Sequence, residues 1–288
     1  MGSPHHVSQP ASRLQLLECR TAQRPPFAGS ADWQYILARN ATVWGMPRGI
    51  GRRRRWSAAW LYGVLAGLGV AGLALAFRQG LVPPLLNPLP PIDLAEGRPW
   101  LADWRLAAIK RHASVCARTL KGPQIEALQI ADGPVHDGCG WSNAVRLTSA
   151  GGVHAAFDRL TCETAVALAL WLEHEVQPLA TAVFGQRVAA VRSLGSYACR
   201  NIRGSPLWRH RRSEHATANA VDIAGFTLAD GRAVSVRRHW RNEGAEGRFL
   251  REAHARACPY FRAALGPGYN AAHRDHFHLD RGPFSRCR

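Results

Sequence analysis

The sequence reads as an α+β fold, a small antiparallel sheet with flanking helices, preceded by one transmembrane helix. Three observations point there. A run of 22 residues without charge, WSAAWLYGVLAGLGVAGLALAF, extends from Trp56 to Phe77 in a chain of 288 residues. A proline-rich stretch follows it. Beyond residue 104, helix-like and strand-like segments come in mixed order with hairpin turns, not in the regular alternation that builds a parallel sheet.

Residues 1–50 mix Pro, Ser, Gln, Arg and His without periodicity, and are expected to be a disordered cytoplasmic segment with His5 and His6 solvated. Met46 opens MPRGIGRRRRW, an ordinary beginning for a membrane anchor, so Met1 and Met46 are both open as starts. Residues 51–78 form a basic flank and the span. A helix of that length is about 33 Å long, enough for a hydrocarbon core of about 30 Å. A buried core helix would be shorter and carry a polar stripe. Arg52 to Arg55 stand directly before the span and only Arg78 directly after it, which places the N-terminus in the cytoplasm and the C-terminal domain outside, in a bacterium the periplasm of an inner-membrane protein. The competing reading, a cleaved signal peptide, requires a shorter apolar run and a small-x-small site that FRQGLVPP does not offer.

Residues 79–104 hold six prolines between Pro83 and Pro99 and are expected to be an extended linker. The folded domain then occupies 105–288. HDGCGWSNAVRLTSAGGV suggests a hairpin or irregular strands. TCETAVALALWLEHEVQPLATAVFG, with Thr161 as its cap and Glu163 in the first turn, is the strongest helix, to be kinked or divided at Pro178. RVAAVRSLGSYAC reads as a strand, Ala220 to Trp240 as a hairpin around DGR, and EGRFLREAHARACPYFRAAL as an amphipathic helix stopped by GPGYN.

Net charge is +17, and all but two of the 37 basic side chains are arginine. Such a surface suits polyanions, whether nucleic acid, anionic lipid or an acidic wall polymer, and the topology disfavours nucleic acid. Of seven cysteines, Cys19 precedes the span and six follow it. An even set on an oxidising side suits up to three disulfides, with 15 pairings open, and the absence of CxxC argues against a cysteine zinc cage or a thioredoxin-like site.

The densest chemistry lies in HRDHFHLD, residues 273–280. On a strand His276, His278 and Asp280 share a face, whereas positions two apart on a helix diverge by about 200°. Two histidines need a further ligand. RRSEHATANAVDIAGF, residues 211–226, supplies His215 on a polar loop and Asp222 on the strand after it, with the small Ala220 leaving space beside the carboxylate. His215, Asp222 and His278 form a two-histidine, one-carboxylate set with an open fourth position, the arrangement of catalytic zinc. His273 reads as a loop residue, Asp280 as either an orienting partner of a histidine or a solvated group, and Trp240 as core.

SEHATANAVD resembles the SxHxxGxAxD motif of the lysostaphin, DD-peptidase and Hedgehog zinc superfamily, and HFH its second motif. Together with GSYACRNIRG, FLREAHARAC and LGPGYNAAHRDHFHLD, they resemble the bacterial extensin-like C-terminal domain family over about residues 113 to 288. The resemblance implies a DD-peptidase/Hedgehog-like fold with Zn2+ on His215, Asp222 and His278. It also implies Asp275 as general base, His276 beside the oxyanion, and Arg200, or less readily Arg203, gripping the substrate. Ser213, the first residue of the motif, either takes a site role or caps a turn. Ala218 stands where the motif has glycine. Zinc so held would lower the pKa of its bound water to about 7, and Asp275 could accept that proton as the hydroxide attacks an amide. In an unbroken strand, however, Asp275 would point away from His276 and His278. The function implied is a membrane-anchored periplasmic zinc peptidase acting on peptidoglycan stem peptides; a zinc-containing wall-binding module without catalysis and a basic HxH nuclease are the competing readings.

Overall fold

The computed structural model describes residues 58–288. The segment 1–50, the Arg52 to Arg55 cluster and Cys19 lie outside the described residues. Helix α1, Ala58–Arg78, carries the apolar run, and no residue of it is buried by protein. It is long and apolar enough to cross a membrane and fits a single-pass protein.

The stretch 79–104, expected as linker, meets the domain at particular points. Ile92 and Leu94 are buried. Arg105 in helix α2, Ala102–Ala107, donates to the carbonyls of Pro90 (3.0 Å) and Pro91 (2.6 Å). These prolines lack an N–H, and their carbonyls find a side-chain donor instead. Helix α3, Ala113–Thr119, leads into strands β1 (Ile125–Gln129), β2 (Gly133–His136), β3 (Cys139–Trp141), β4 (Ala144–Ala150) and β5 (Val153–Thr161). In β5 buried and exposed residues alternate from Val153 to Asp158, the period of a strand with one face on a core.

Helix α4, Cys162–Trp171, and α5, Gln177–Phe184, are joined by a π-helical segment, Leu172–Val176. The expected break near Pro178 takes this form: the wider turn falls just before the proline, and the chain stays helical through it. Every residue of α4 is buried, and Trp171 packs on Phe226 and Phe261 with centroids 6.1 and 6.2 Å away. Strand β6 is Val188–Gly195 and β7 Ala220–Leu228. The hairpin after β7 is real but short: β8 covers only Ala233–Ser235, and Val236–His239 turn into helix α6. Trp240 packs edge-on against Phe277, 5.6 Å between centroids, as a core residue would. Helix α7 is Ala245–Ala255, shorter than its amphipathic pattern suggests, because Pro259 closes it and Ala263–Leu265 becomes strand β9. Strands β10, Phe277–Asp280, and β11, Arg286–Cys287, complete the domain.

The sheet corrects the expectation of a small antiparallel one. It has nine strands in the order β1-β4-β5-β6-β7-β10-β9-β11, with β8 also on β7. β6 runs parallel to β5, and β11 parallel to β9. The cause of the first parallel step is the α4–α5 crossover, which returns the chain to the end of the sheet where β5 began. β2 and β3 form a separate hairpin. The six cysteines of the domain pair as Cys116–Cys162, Cys139–Cys199 and Cys258–Cys287.

Candidate metal centre

Two neighbouring strands and one short turn bring the proposed ligands together. β10 lies antiparallel on β7, with His278 directly opposite Asp222 and Asp280 opposite Ala220. His215 sits on a 3-10 turn, Glu214–Thr217, whose N-cap Ser213 accepts the His215 N–H at 3.4 Å. The turn closes at Ala218, which adopts φ 53°, ψ 26°. The glycine of the motif is therefore replaced at a position that requires the left-handed region, at a backbone cost of about 1 kcal/mol. Asn219 fixes the next step: its Oδ1 accepts from the Thr161 and Thr164 hydroxyls, at 2.9 and 3.0 Å, and its Nδ2 donates to Glu214 at 2.9 Å.

His215 Nε2, His278 Nδ1 and Asp222 Oδ1 form a nearly equilateral triangle, with edges of 3.1, 3.0 and 3.0 Å, and all three residues are buried. The outer nitrogens define what faces the centre. His215 Nδ1 is 3.0 Å from the Ser196 carbonyl, and a carbonyl can only accept, so the proton is on Nδ1. His278 Nε2 is 2.9 Å from Asp280 Oδ2, whose other oxygen accepts the Gly282 N–H at 2.8 Å. In these tautomers both imidazoles turn lone pairs toward the Asp222 carboxylate, a donor set suited to a metal cation. Asp280, buried and 2.9 Å from His278 Nε2, is placed to orient that ring.

The charges agree. Burial raises the Asp222 carboxyl pKa, but hydrogen bonds and charge interactions with His215 and His278 hold it well below the usual carboxylate range. Burial lowers the His278 pKa, but hydrogen bonds and charge interactions with Asp222 and Asp280 together push it up to about 10. Zinc fits this donor set: ligands at about 2.0–2.1 Å in a tetrahedron stand about 3.3–3.4 Å apart, slightly wider than the triangle observed.

Asp222 and His278 of the triangle line a cavity of about 490 Å³, with His215 behind them. Arg200 and Arg203 line it, and Arg200 Nη2 lies 3.9 Å from Asp222 Oδ2. The adjoining Cys139–Cys199 bond fixes Arg200 to the β2–β3 hairpin. Ser213 lines the cavity as well, its hydroxyl engaged in the cap. His276 reaches the cavity with Nε2 3.6 Å from Asp222 Oδ1. Asp275 precedes β10, so strand alternation does not govern it. Its Oδ1 lies 3.0 Å from His276 Nδ1, and it is not among the residues lining the cavity. The carboxylate thus stands behind His276.

His273 is more than a loop residue. It lines the cavity, its ring 5.4 Å from that of His276, and burial together with the neighbouring His278 and His276 brings its pKa down to about 4. Sequence reasoning also passed over Glu214, which lines the cavity and whose carboxyl is pushed up by burial and by Asp280. The signal for both was available only as adjacency to the two motifs.

The family model described as Extensin-like protein C-terminus matches residues 114–288, more than half of the chain. No curated protein and no solved structure matches it.

Proposed function

The chain belongs to the extensin-like protein C-terminus family, and from that premise we propose that it is a membrane-anchored zinc peptidase of the cell wall, acting on peptidoglycan stem peptides from the periplasmic side. The observation that carries this reading is the convergence of one possible ligand atom each from His215, Asp222 and His278, with Asp222 and His278 at the wall of a cavity. The resemblance of SEHATANAVD and HFH to the motifs of the zinc peptidases related to lysostaphin and Hedgehog supports it.

His215, Asp222 and His278 would hold the zinc, and zinc there would supply a Lewis acid that acidifies water and polarises a carbonyl. The remaining roles fall to the cavity's own groups. His276, with Nε2 turned to the centre, is the group placed to accept a proton from water and return it to the departing amine. Asp275, bonded to its Nδ1, holds the ring and stabilises its charged form, so Asp275 is a positioning residue in this scheme and not itself the base. Arg200 and Arg203 offer a free carboxylate of a stem peptide a charge-assisted contact.

A second reading is a wall-binding module that keeps zinc without turnover. Ala218 in the left-handed region and the withdrawn position of Asp275 favour it. Digestion of purified muropeptides by the full-length protein separates the two. The peptidase reading expects fragments whose release stops with a chelator and with His276→Ala. Binding of muropeptides with no fragments would establish the module instead.

A further inference from the structure

The end of the membrane helix is fastened to the domain beside the mouth of the metal cavity. The guanidinium of Arg78, the last residue of α1, donates to Ser285 Oγ at 2.7 Å and lies 3.7 Å from Asp103. The Arg78 carbonyl accepts from Arg262 Nη2 at 2.8 Å. Just beyond, the carbonyl of Gln79 accepts from Arg111 at 3.1 Å and that of Val82 lies 3.0 Å from His112 Nε2. Ser285 lines the cavity. The residue that ends the span therefore touches the cavity rim directly, with little freedom for a hinge between them.

Next to Ser285, Trp208, Arg211 and Phe284 line the outer part of the same cavity, and Leu207 adjoins them. Leu207, Trp208 and Phe284 are 78%, 40% and 58% exposed. The Trp208 and Phe284 rings are 5.9 Å apart, and the Arg211 guanidinium lies over both, at 5.1 and 4.8 Å. Arg209 adds a second exposed cation. Apolar and aromatic side chains interleaved with arginine are poorly matched to bulk water. They are well matched to the lipid headgroup layer, where aromatic rings partition and arginine meets phosphate.

The geometry points to this rim resting on an anionic bilayer surface, so that the chain touches the membrane at α1 and again at Leu207, Trp208, Arg211 and Phe284. The inference rests on the reading of α1 as a span. A helix of 21 residues is about 32 Å long, which brings Arg78 to the headgroup layer. Ser285 is one hydrogen bond from Arg78, Phe284 is its neighbour in the chain, and Trp208 packs on Phe284. The bilayer is thus the apolar phase nearest to the rim. The cavity then opens at the headgroups, and its substrates are those presented at the membrane surface.

The test uses the full chain in phosphatidylglycerol nanodiscs, with lipids brominated on the upper acyl chain or unbrominated. The emission difference between wild type and Trp208→Phe isolates Trp208 from the other tryptophans. It is expected to fall about twofold with brominated lipid, and emission gained in Leu207→Trp is expected to fall likewise. A difference emission untouched by bromine but quenched by aqueous iodide overturns the contact while leaving the span standing. Failure of the chain to remain with the discs overturns the span, and the contact with it. Neither readout uses the metal, so a negative result is independent of the proposed hydrolysis.

Discussion

Asp280→Asn probes the metal centre through a residue that orients a ligand without being one. Asp280 Oδ2 accepts from Nε2 of His278 at 2.9 Å, and Oδ1 accepts from the Gly282 N–H at 2.8 Å. Asparagine keeps the volume but has one acceptor oxygen for these two donors, so one contact becomes donor against donor and the negative charge is lost. Losing the partner of a ligating histidine costs about 10–100-fold in metal affinity, or about 1.4–2.7 kcal/mol. Proton competition shapes where that loss is seen. Although burial lowers it, the His278 pKa is pushed up to about 10 by Asp222 and Asp280. Zinc must displace the proton from Nδ1, and apparent affinity in the wild type rises about tenfold per pH unit until about pH 10. In Asp280→Asn the imidazole is less basic, and its affinity levels off at lower pH. Competition with a chromophoric chelator across this range should show the full deficit near pH 10 and a narrowing gap toward neutrality. A wild-type affinity that is flat with pH, or equal affinities near pH 10, would refute the ligand geometry.

Other consequences are as direct. Arg200→Gln should raise KM for a carboxylate-bearing wall peptide about tenfold with a smaller change in kcat, because a charge-assisted contact is removed on the substrate side. Replacing Cys139 and Cys199 together by serine opens a link of sequence separation 60; chain entropy sets the loss at up to about 4 kcal/mol by denaturant unfolding, and the loosened Arg200 should raise KM as well. In chelator, thermal stability should decline as pH rises from about 6.5 to about 10. The folded His278 pKa is raised to about 10, so its contribution is complete below its unfolded value and lost as pH passes the folded one. The decline should vanish in His278→Gln, and a melting temperature rising over that interval would contradict the assignment.

Both halves of the centre were legible because their spacing is local. His215 and Asp222 belong to one loop and the strand after it, and His278 has the period-two placement of a strand. What joined them was not legible: the pairing of His278 with Asp222 links residues 56 apart and is fixed by how β10 docks between β7 and β9. The same non-locality hid the size of the sheet. The helix that reads most strongly in the sequence, from Cys162, is the crossover that makes β6 parallel to β5, and nothing local announces that pairing. At β9, Pro259 ended a helix whose apolar period runs on toward Leu265, and the strand took over because the edge of β10 needed a partner. Asp275 shows a further limit. Its sequence position suggested a base at the metal, but backbone direction before β10 turns its carboxylate to the far side of the His276 ring.

The central claim is that three convergent acceptors hold a zinc ion, and the metal content of the purified full-length protein tests it most directly. Mass spectrometry of the protein prepared without chelator should give about one zinc per chain, and none in His278→Ala shown to be folded by circular dichroism. Wild-type protein that retains no zinc, and takes up none when zinc is added near neutral pH, would contradict the account.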